Sequence, residues 1–319
     1  MTIGKKISGL LKIILSLAAL GYVAYRIANF EHWEGVGTRI LDSLTSYQLI
    51  FLVLPLLLVP VNFGFETLKW GLVIRPLERL SPAKALTGIL TGLSMSILTP
   101  NRIGDIVTRS FILQPGNRVG STGLTSVNSL AQTVITLVFG IPAALYYLYR
   151  TGEATTAEHH RILLLFGSAL ITGFGAIWLF MKLHIAVRWA GRIGFKNQFQ
   201  KISDALAILQ GSFKLRVLTL SAMKYIVYLT QFYLLMRFFG LDITIPDGWA
   251  CLGTTYLFLT LVPFPSLGDP GIRGSVTLFL LGPFTADLPG ILFASWTIWL
   301  INIIIPALIG LFLLPRIKI

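Results

Sequence analysis

Long apolar stretches alternate with short polar connections along most of this chain. The continuous apolar runs cover residues 7–27, 48–74, 121–149, 162–181, 217–239 and 290–314. An α-helix needs about 20 mainly apolar residues to cross the hydrocarbon core of a bilayer. The pattern therefore predicts an all-α polytopic membrane protein with six full spans.

Two further apolar stretches are interrupted by proline. Residues 83–99 end at Pro100, and residues 249–262 end at Pro263, which Pro265 follows closely. A stretch of about 17 residues is at the lower limit for a span, and a proline kinks or ends a helix. We therefore predict two re-entrant helical hairpins, over residues 83–118 and 249–284.

The composition agrees with a membrane domain. Hydrophobic residues make up 55% of the 319 residues and charged residues 12%, whereas soluble domains carry about 25% charged residues. Because no long polar stretch remains, we expect no separate catalytic domain and no enzymatic activity. The apolar run 7–27 is longer than the core of a signal peptide, which indicates an uncleaved first span.

The net charge of +13 indicates topology rather than nucleic-acid binding, because the basic residues are spread over short connections. Basic segments concentrate on the cytoplasmic side of membrane proteins. They lie near residues 5–12, 75–84, 182–214 and 316–318, whereas the acidic connections are 29–47, 150–161 and 240–248. Both termini are therefore predicted to be cytoplasmic. Segment 182–214 is predicted to be an amphipathic insert in contact with anionic leaflet lipids.

This topology predicts two halves of opposite orientation. Residues 1–150 would hold three spans and the hairpin 83–118, which enters from the cytoplasm. Residues 151–319 would hold three spans and the hairpin 249–284, which enters from outside. An odd number of spans in each half inverts the second half relative to the first, as in many secondary transporters. The whole chain then forms one membrane domain.

The tip of the first hairpin carries charged residues. Pro100 and Arg102 precede Gly104-Asp105, and Arg109 follows four residues after the aspartate. Ionisable residues at membrane depth are costly and usually functional.

The second hairpin repeats this arrangement. Pro265 precedes Gly268-Asp269, and Gly271 and Arg273 follow, again with arginine four residues after the aspartate. On a helix, residues four apart share one face, so each aspartate is predicted to pair with its arginine.

These residue types favour an anion site near the bilayer middle. The glycines (104, 268 and 271) allow close backbone approach, helix N-termini favour anions, and arginine binds phosphate in a bidentate manner. We predict that Arg102, Arg109 and Arg273 converge on a phosphate-bearing headgroup, held by Asp105 and Asp269. The alternative is that both Asp–Arg pairs only stabilise the hairpins.

Other charged or metal-binding residues give weaker signals. Glu66 and Lys69 are expected to pair or to extend toward the interface. Lys224 either faces a cavity or extends toward the interface, and the second arrangement is the more common one. The single Cys251 and the loop pair His159-His160 predict no metal site. We therefore expect no cofactor.

The hairpin motifs resemble a known family. Thr99 to Asp105 is similar to the Pro-x-Arg-x-Gly-Glu signature of the lysylphosphatidylglycerol synthetase transmembrane-domain family, which includes the flippase half of MprF-like proteins. Pro263 to Arg273 resembles its Pro-x-x-Gly-Gly-x-Gly-x-Arg-Glu signature, and residues 62–70 also look similar. The resemblance implies a bacterial or archaeal inner-membrane protein that moves lipids between leaflets.

Three functions follow from these observations. The leading one is a flippase for a phospholipid or a polyprenyl-phosphate lipid. The second is a lipid-binding scaffold or partner of a cell-envelope enzyme that transports nothing. The third, an intramembrane aspartic protease, is disfavoured because an arginine near each aspartate keeps it ionised, whereas a catalytic dyad shares a proton. The sequence is also compatible with assembly of the protein into a homo-oligomer.

Overall fold

The structure, a computed structural model, describes residues 21, 24–25, 27–28, 36–45, 47–99, 103–152, 156–183, 185, 211–261 and 269–316. Within these residues the chain forms helices and turns, without strands. The α-helices are α1 (Val36–Thr45), α2 (Ile50–Ile74), α3 (Pro82–Leu98), α4 (Ile103–Ser110), α5 (Arg118–Thr151), α6 (Thr156–Met181), α7 (Gly211–Phe238), α8 (Ile245–Leu261), α9 (Asp269–Leu281), α10 (Leu288–Trp299) and α11 (Ile305–Leu313). A π-helical turn, Leu300–Ile304, joins the last two.

Three of the described helical stretches are long and apolar enough to cross a bilayer. They are Tyr47–Ile74, Pro115–Thr151 and Leu288–Leu313, and shorter apolar helices cover Gly167–Met181 and Pro270–Leu281. The prediction of a helical, multi-pass membrane protein is therefore confirmed. Most of the predicted first span 7–27, and most of the insert 182–214, lie outside the described residues.

Two predicted polar connections contain helix. Val36–Thr45 is helical within the connection 29–47, and Thr156 already begins α6 within the connection 150–161. Residue charge marks a segment as exposed, but an exposed helix end has the same composition as a loop. The polar composition of these two segments therefore did not indicate that they contain helix.

Helices α3 and α4 form an antiparallel hairpin with very close backbones. A Cβ atom at Gly104 would collide with the backbone oxygen of Met95, and one at Gly92 would collide with Oδ1 of Asp105. The hydroxyl of Thr99 accepts a hydrogen bond from the N–H of Gly104 over 2.8 Å. This bond satisfies one of the N–H groups that a helix start leaves without an intrahelical partner.

Helices α8 and α9 form a second antiparallel hairpin. Near its open end, the thiol of Cys251 contacts the backbone oxygen of Leu280 at 3.5 Å. Nearer its tip, Arg273 reaches Tyr256 at 3.5 Å. The first arms of the two hairpins, α3 and α8, both have 17 residues.

The order of helices is repeated along the chain, and helices of the two repeats pack against each other. A helix, a two-armed hairpin and a further helix occur as α2 to α5 and again as α7 to α11. Helix α2 packs on α7, while α8 packs on α5 and α11 packs on α3. The last contact is close, because a Cβ atom at Gly310 would collide with the backbone of Leu90. The hydroxyl of Ser94 donates to the backbone oxygen of Ala307 across the same contact.

A buried amide cluster joins three of these helices. The amide nitrogen of Asn62 on α2 lies 3.3 Å from Oε1 of Gln231 on α7 and 3.2 Å from Oδ1 of Asn302. Asn302 lies in the π-helical turn, four residues before Pro306. Because proline has no N–H, the backbone oxygen of Asn302 loses its usual helical partner there. The loss of this hydrogen bond accounts for the irregular helical geometry around Asn302.

Candidate functional site

Glu66, on α2, lies at the centre of a buried ion cluster. Its Oε2 accepts hydrogen bonds from Lys224 at 2.7 Å and contacts Lys69 at 3.0 Å. Its Oε1 accepts hydrogen bonds from Arg109 at 3.0 Å and from the amide of Asn128 at 2.9 Å. We call these five residues together with Asp105 the Glu66 cluster. Four helices contribute to it: α2, α4, α5 and α7.

The predicted pairing of Asp105 with Arg109 is confirmed. Nε of Arg109 lies 2.6 Å from Oδ1 of Asp105, and Nη2 lies 2.9 Å from Oδ2. The remaining terminal nitrogen reaches Glu66, so the guanidinium group bridges two carboxylates. It also lies over the ring of Trp70, at 5.7 Å from the centroid. The Trp70 N–H donates to Thr125 on α5 over 3.1 Å, which fixes the ring.

Lys69 is held on its other side by an amide. Its Nζ donates to Oε1 of Gln132 over 3.4 Å, and Nε2 of Gln132 donates to the backbone oxygen of Ser221 over 3.4 Å. This chain of bonds joins α2 to α5 and α7. A cluster shared by several helices needs their correct packing to form.

The Glu66 cluster carries an excess of one positive charge. It contains three cations (Lys69, Arg109 and Lys224) and two carboxylates (Glu66 and Asp105). The side chains differ in exposure: Glu66 is 6% exposed, Asp105 16% and Lys224 27%. Lys224 and Asp105 are therefore the most exposed charged members of the cluster.

The second hairpin surrounds its arginine with phenol groups. Arg273 on α9 is buried, and its Nη1 lies 3.3 Å from the hydroxyl of Tyr228 on α7 and 3.5 Å from that of Tyr256 on α8. The two tyrosine rings pack edge to face, with centroids 4.7 Å apart. The aromatic packing fixes both hydroxyls, which in turn orient the guanidinium group.

Helix α7 connects the two hairpin sites. Lys224 contacts the Glu66 cluster and Tyr228 contacts Arg273. These two residues are one helical turn apart and share a face of α7, about 6 Å from each other along the axis. A shift of this helix would therefore affect both sites together.

The predicted site residues divide between the two hairpins. Gly104, Asp105 and Arg109 come together in the first, and Gly271 and Arg273 lie in α9 of the second. Arg102, Gly268 and the side chain of Asp269 lie outside the described residues. The convergence of three arginines on one ligand therefore stays a prediction.

The sequence interpretation did not include Glu66, Lys69 or Lys224 in the site. The expected pairing of Glu66 with Lys69 is present, but both side chains are buried rather than extended toward the interface. Three ionisable residues inside apolar runs are a signal in themselves, because such residues are usually functional.

These observations define a helical membrane protein with two hairpins and a buried, positively charged ion cluster. The chain matches the family described as Lysylphosphatidylglycerol synthase TM region over residues 9–310. It belongs to this family, and the resemblance of its two motifs is thereby confirmed. A comparison with curated proteins gives no match.

Proposed function

We propose that this protein is a lipid flippase that binds an anionic, phosphate-bearing headgroup and moves it between the two leaflets. The observation that carries the proposal is the Glu66 cluster, which holds an excess positive charge within a membrane domain. A buried charge is costly unless another charge compensates it. A headgroup phosphate supplies that charge, and family membership supports a role connected with membrane lipids.

The proposal includes six spans and two re-entrant hairpins in an inverted repeat. Three observations support it: the repeated order of elements, the equal lengths of α3 and α8, and the reciprocal packing of α8 on α5 and of α11 on α3. A hairpin that enters and returns on the same side allows irregular backbone at membrane depth, where surrounding protein satisfies it. Alternating exposure of a site between such hairpins is a known transport arrangement.

In this proposal the two hairpins contact the headgroup while the acyl chains stay in the bilayer. Arg109 and Arg273 orient the polar groups around it, together with Arg102 near the first tip. The substrate is a phospholipid or a polyprenyl-phosphate lipid, and the protein lies in the cytoplasmic (inner) membrane of a bacterial or archaeal cell. No bond is made or broken in such a step, so the protein acts without catalysis.

Leaflet exchange in reconstituted vesicles tests this function. The purified protein is inserted into vesicles that carry headgroup-labelled phosphatidylglycerol, and a membrane-impermeant quencher measures the label left in the outer leaflet. We expect the inner-leaflet label to become accessible faster than in protein-free vesicles. An equal rate in both, with headgroup binding retained, would contradict the flippase and indicate a lipid-binding scaffold.

A further inference from the structure

The two buried cations of the Glu66 cluster already have partners. Arg109 uses Nε, Nη1 and Nη2 on carboxylate oxygens of Asp105 and Glu66. Lys69 is 1% exposed and is shared between Glu66 and Gln132. Neither group can turn toward a ligand without breaking a buried ion pair, which is strongly unfavourable.

Lys224 differs from these two cations. Within the described residues its ammonium group has one partner, Oε2 of Glu66 at 2.7 Å, and an ammonium group has three N–H donors. Its side chain is 27% exposed, more than that of any other charged member of the cluster. Among its charged members, the cluster is therefore most exposed at Lys224.

Two polar atoms near Lys224 support a ligand at this point. Oδ1 of Asn128 and the hydroxyl of Ser221 are buried and have no hydrogen-bond partner within the described part of the chain. Ser221 precedes Lys224 by one turn on the same face of α7, and the amide nitrogen of Asn128 binds Glu66. Buried polar atoms normally have a partner, so these two atoms leave hydrogen-bonding capacity for a polar group next to the residues that contact Glu66.

We propose that Lys224 is the residue of the Glu66 cluster that binds the headgroup phosphate, that Glu66 positions it, and that the site takes a headgroup with a net charge of −1. This inference rests on the lipid-headgroup function proposed above, and it assigns the contact to Lys224 instead of Arg109. One negative charge balances the cluster, whereas a zwitterionic headgroup brings an additional cation beside Lys69 and Arg109. The site therefore prefers phosphatidylglycerol to phosphatidylcholine.

Binding of soluble short-chain lipids tests the assignment. The full-length protein in an uncharged detergent is titrated with dihexanoyl phosphatidylglycerol and with dihexanoyl phosphatidylcholine, and the ratio of the two affinities is measured. The variants are Lys224→Gln, which removes the charge, and Lys224→Arg, which keeps it. Arg216→Gln is the matched control, because it removes a cation from the same helix outside the cluster. The ratio compares two ligands on one protein, so a lower folded fraction does not change it.

We expect Lys224→Gln to weaken phosphatidylglycerol binding by about 10- to 100-fold, the loss typical of a charged hydrogen bond, and to abolish the preference. Lys224→Arg and Arg216→Gln should keep the preference. A parent protein without the preference, or a Gln variant that retains it, would overturn the assignment. Equal competition by inorganic phosphate would assign the site to a soluble phosphate and overturn the lipid source.

Leaflet exchange separates this inference from the proposed function. If the parent binds phosphatidylglycerol through Lys224 but moves no lipid, the flippase fails and the binding site stands. If the parent moves lipid and Lys224→Gln binds and moves it equally well, the assignment of Lys224 fails and the flippase stands.

Discussion

Lys224 and Glu66 are 158 positions apart in the chain, yet Nζ of Lys224 lies 2.7 Å from Oε2 of Glu66. The bond joins α7 to α2, the two helices that precede the two hairpins. Glu66 also binds Arg109 of the first hairpin. One carboxylate therefore connects both halves of the protein, and its removal should affect their association.

Replacing Glu66 with Gln should strongly destabilise the protein. The change leaves three cations beside one carboxylate in a buried position, and breaking a buried ion pair costs about 3–5 kcal/mol. Unfolding by sodium dodecyl sulfate in mixed micelles, followed by circular dichroism, measures the effect. The control is Asp242→Asn, because Asp242 pairs with Arg237 at a side chain that is 92% exposed, where such pairs contribute little. Similar losses in both variants would contradict a central role for Glu66.

Gly92→Ala should disturb the first hairpin. The added Cβ would collide with Oδ1 of Asp105 and lie close to the side chain of Arg109, and overpacking a tight contact costs about 1–3 kcal/mol. We expect a lower unfolding temperature and weaker headgroup binding. Gly64→Ala on α2 is the matched control, because nothing lies within 4 Å of its added Cβ. A Gly92→Ala protein as stable as the control would show that the arms separate easily.

The first hairpin was predictable because its signals are local. Pro100 ends an apolar stretch, and the spacing of Asp105 and Arg109 identifies a pair on one helix face. The bond between Lys224 and Glu66 was not predictable, since it depends on how α7 packs against α2. An isolated lysine within an apolar run gives no information about a partner so far away in sequence.

The buried amide cluster illustrates the same difference. Asn62, Gln231 and Asn302 each lie within a different apolar run. Their hydrogen bonds appear only when three helices meet, because a buried amide needs a partner of matching geometry. The sequence of one protein, taken alone, contains no signal that links these three positions.

Arg273→Gln should abolish headgroup binding while the protein stays folded. The guanidinium group would be lost, but the packed rings of Tyr228 and Tyr256 would remain. Arg273→Lys should restore binding only in part, because a lysine lacks the bidentate fork. The same pattern is expected at Arg102. Titration with short-chain phosphatidylglycerol and leaflet exchange measure both effects; unchanged exchange in a folded Gln variant would make the arginine purely structural.

Cysteine labelling should place the turn after α2 in the cytoplasm. With Cys251 replaced by Ser, a cysteine introduced at Arg79 should resist a membrane-impermeant reagent added to intact cells. A cysteine at Asp242 should react, because the positive-inside rule puts the connection between α7 and α8 outside. Both positions are exposed, so differences in burial do not decide the result. External labelling at Arg79 would contradict the proposed topology.

The π-helical turn Leu300–Ile304 changes which residues of the last span lie on the same face. Mutants in this span must be designed with that change in mind. A π turn closes over one more residue than an α turn, and each residue of an α-helix rotates the chain by about 100°. Residues before and after the turn therefore do not share one helical wheel. Counting from Ser295 in α10 to Gly310 in α11 misjudges the face that meets α3 by roughly one residue, or about 100°. Crosslinks and periodic substitutions in this span should be designed separately on each side of the turn.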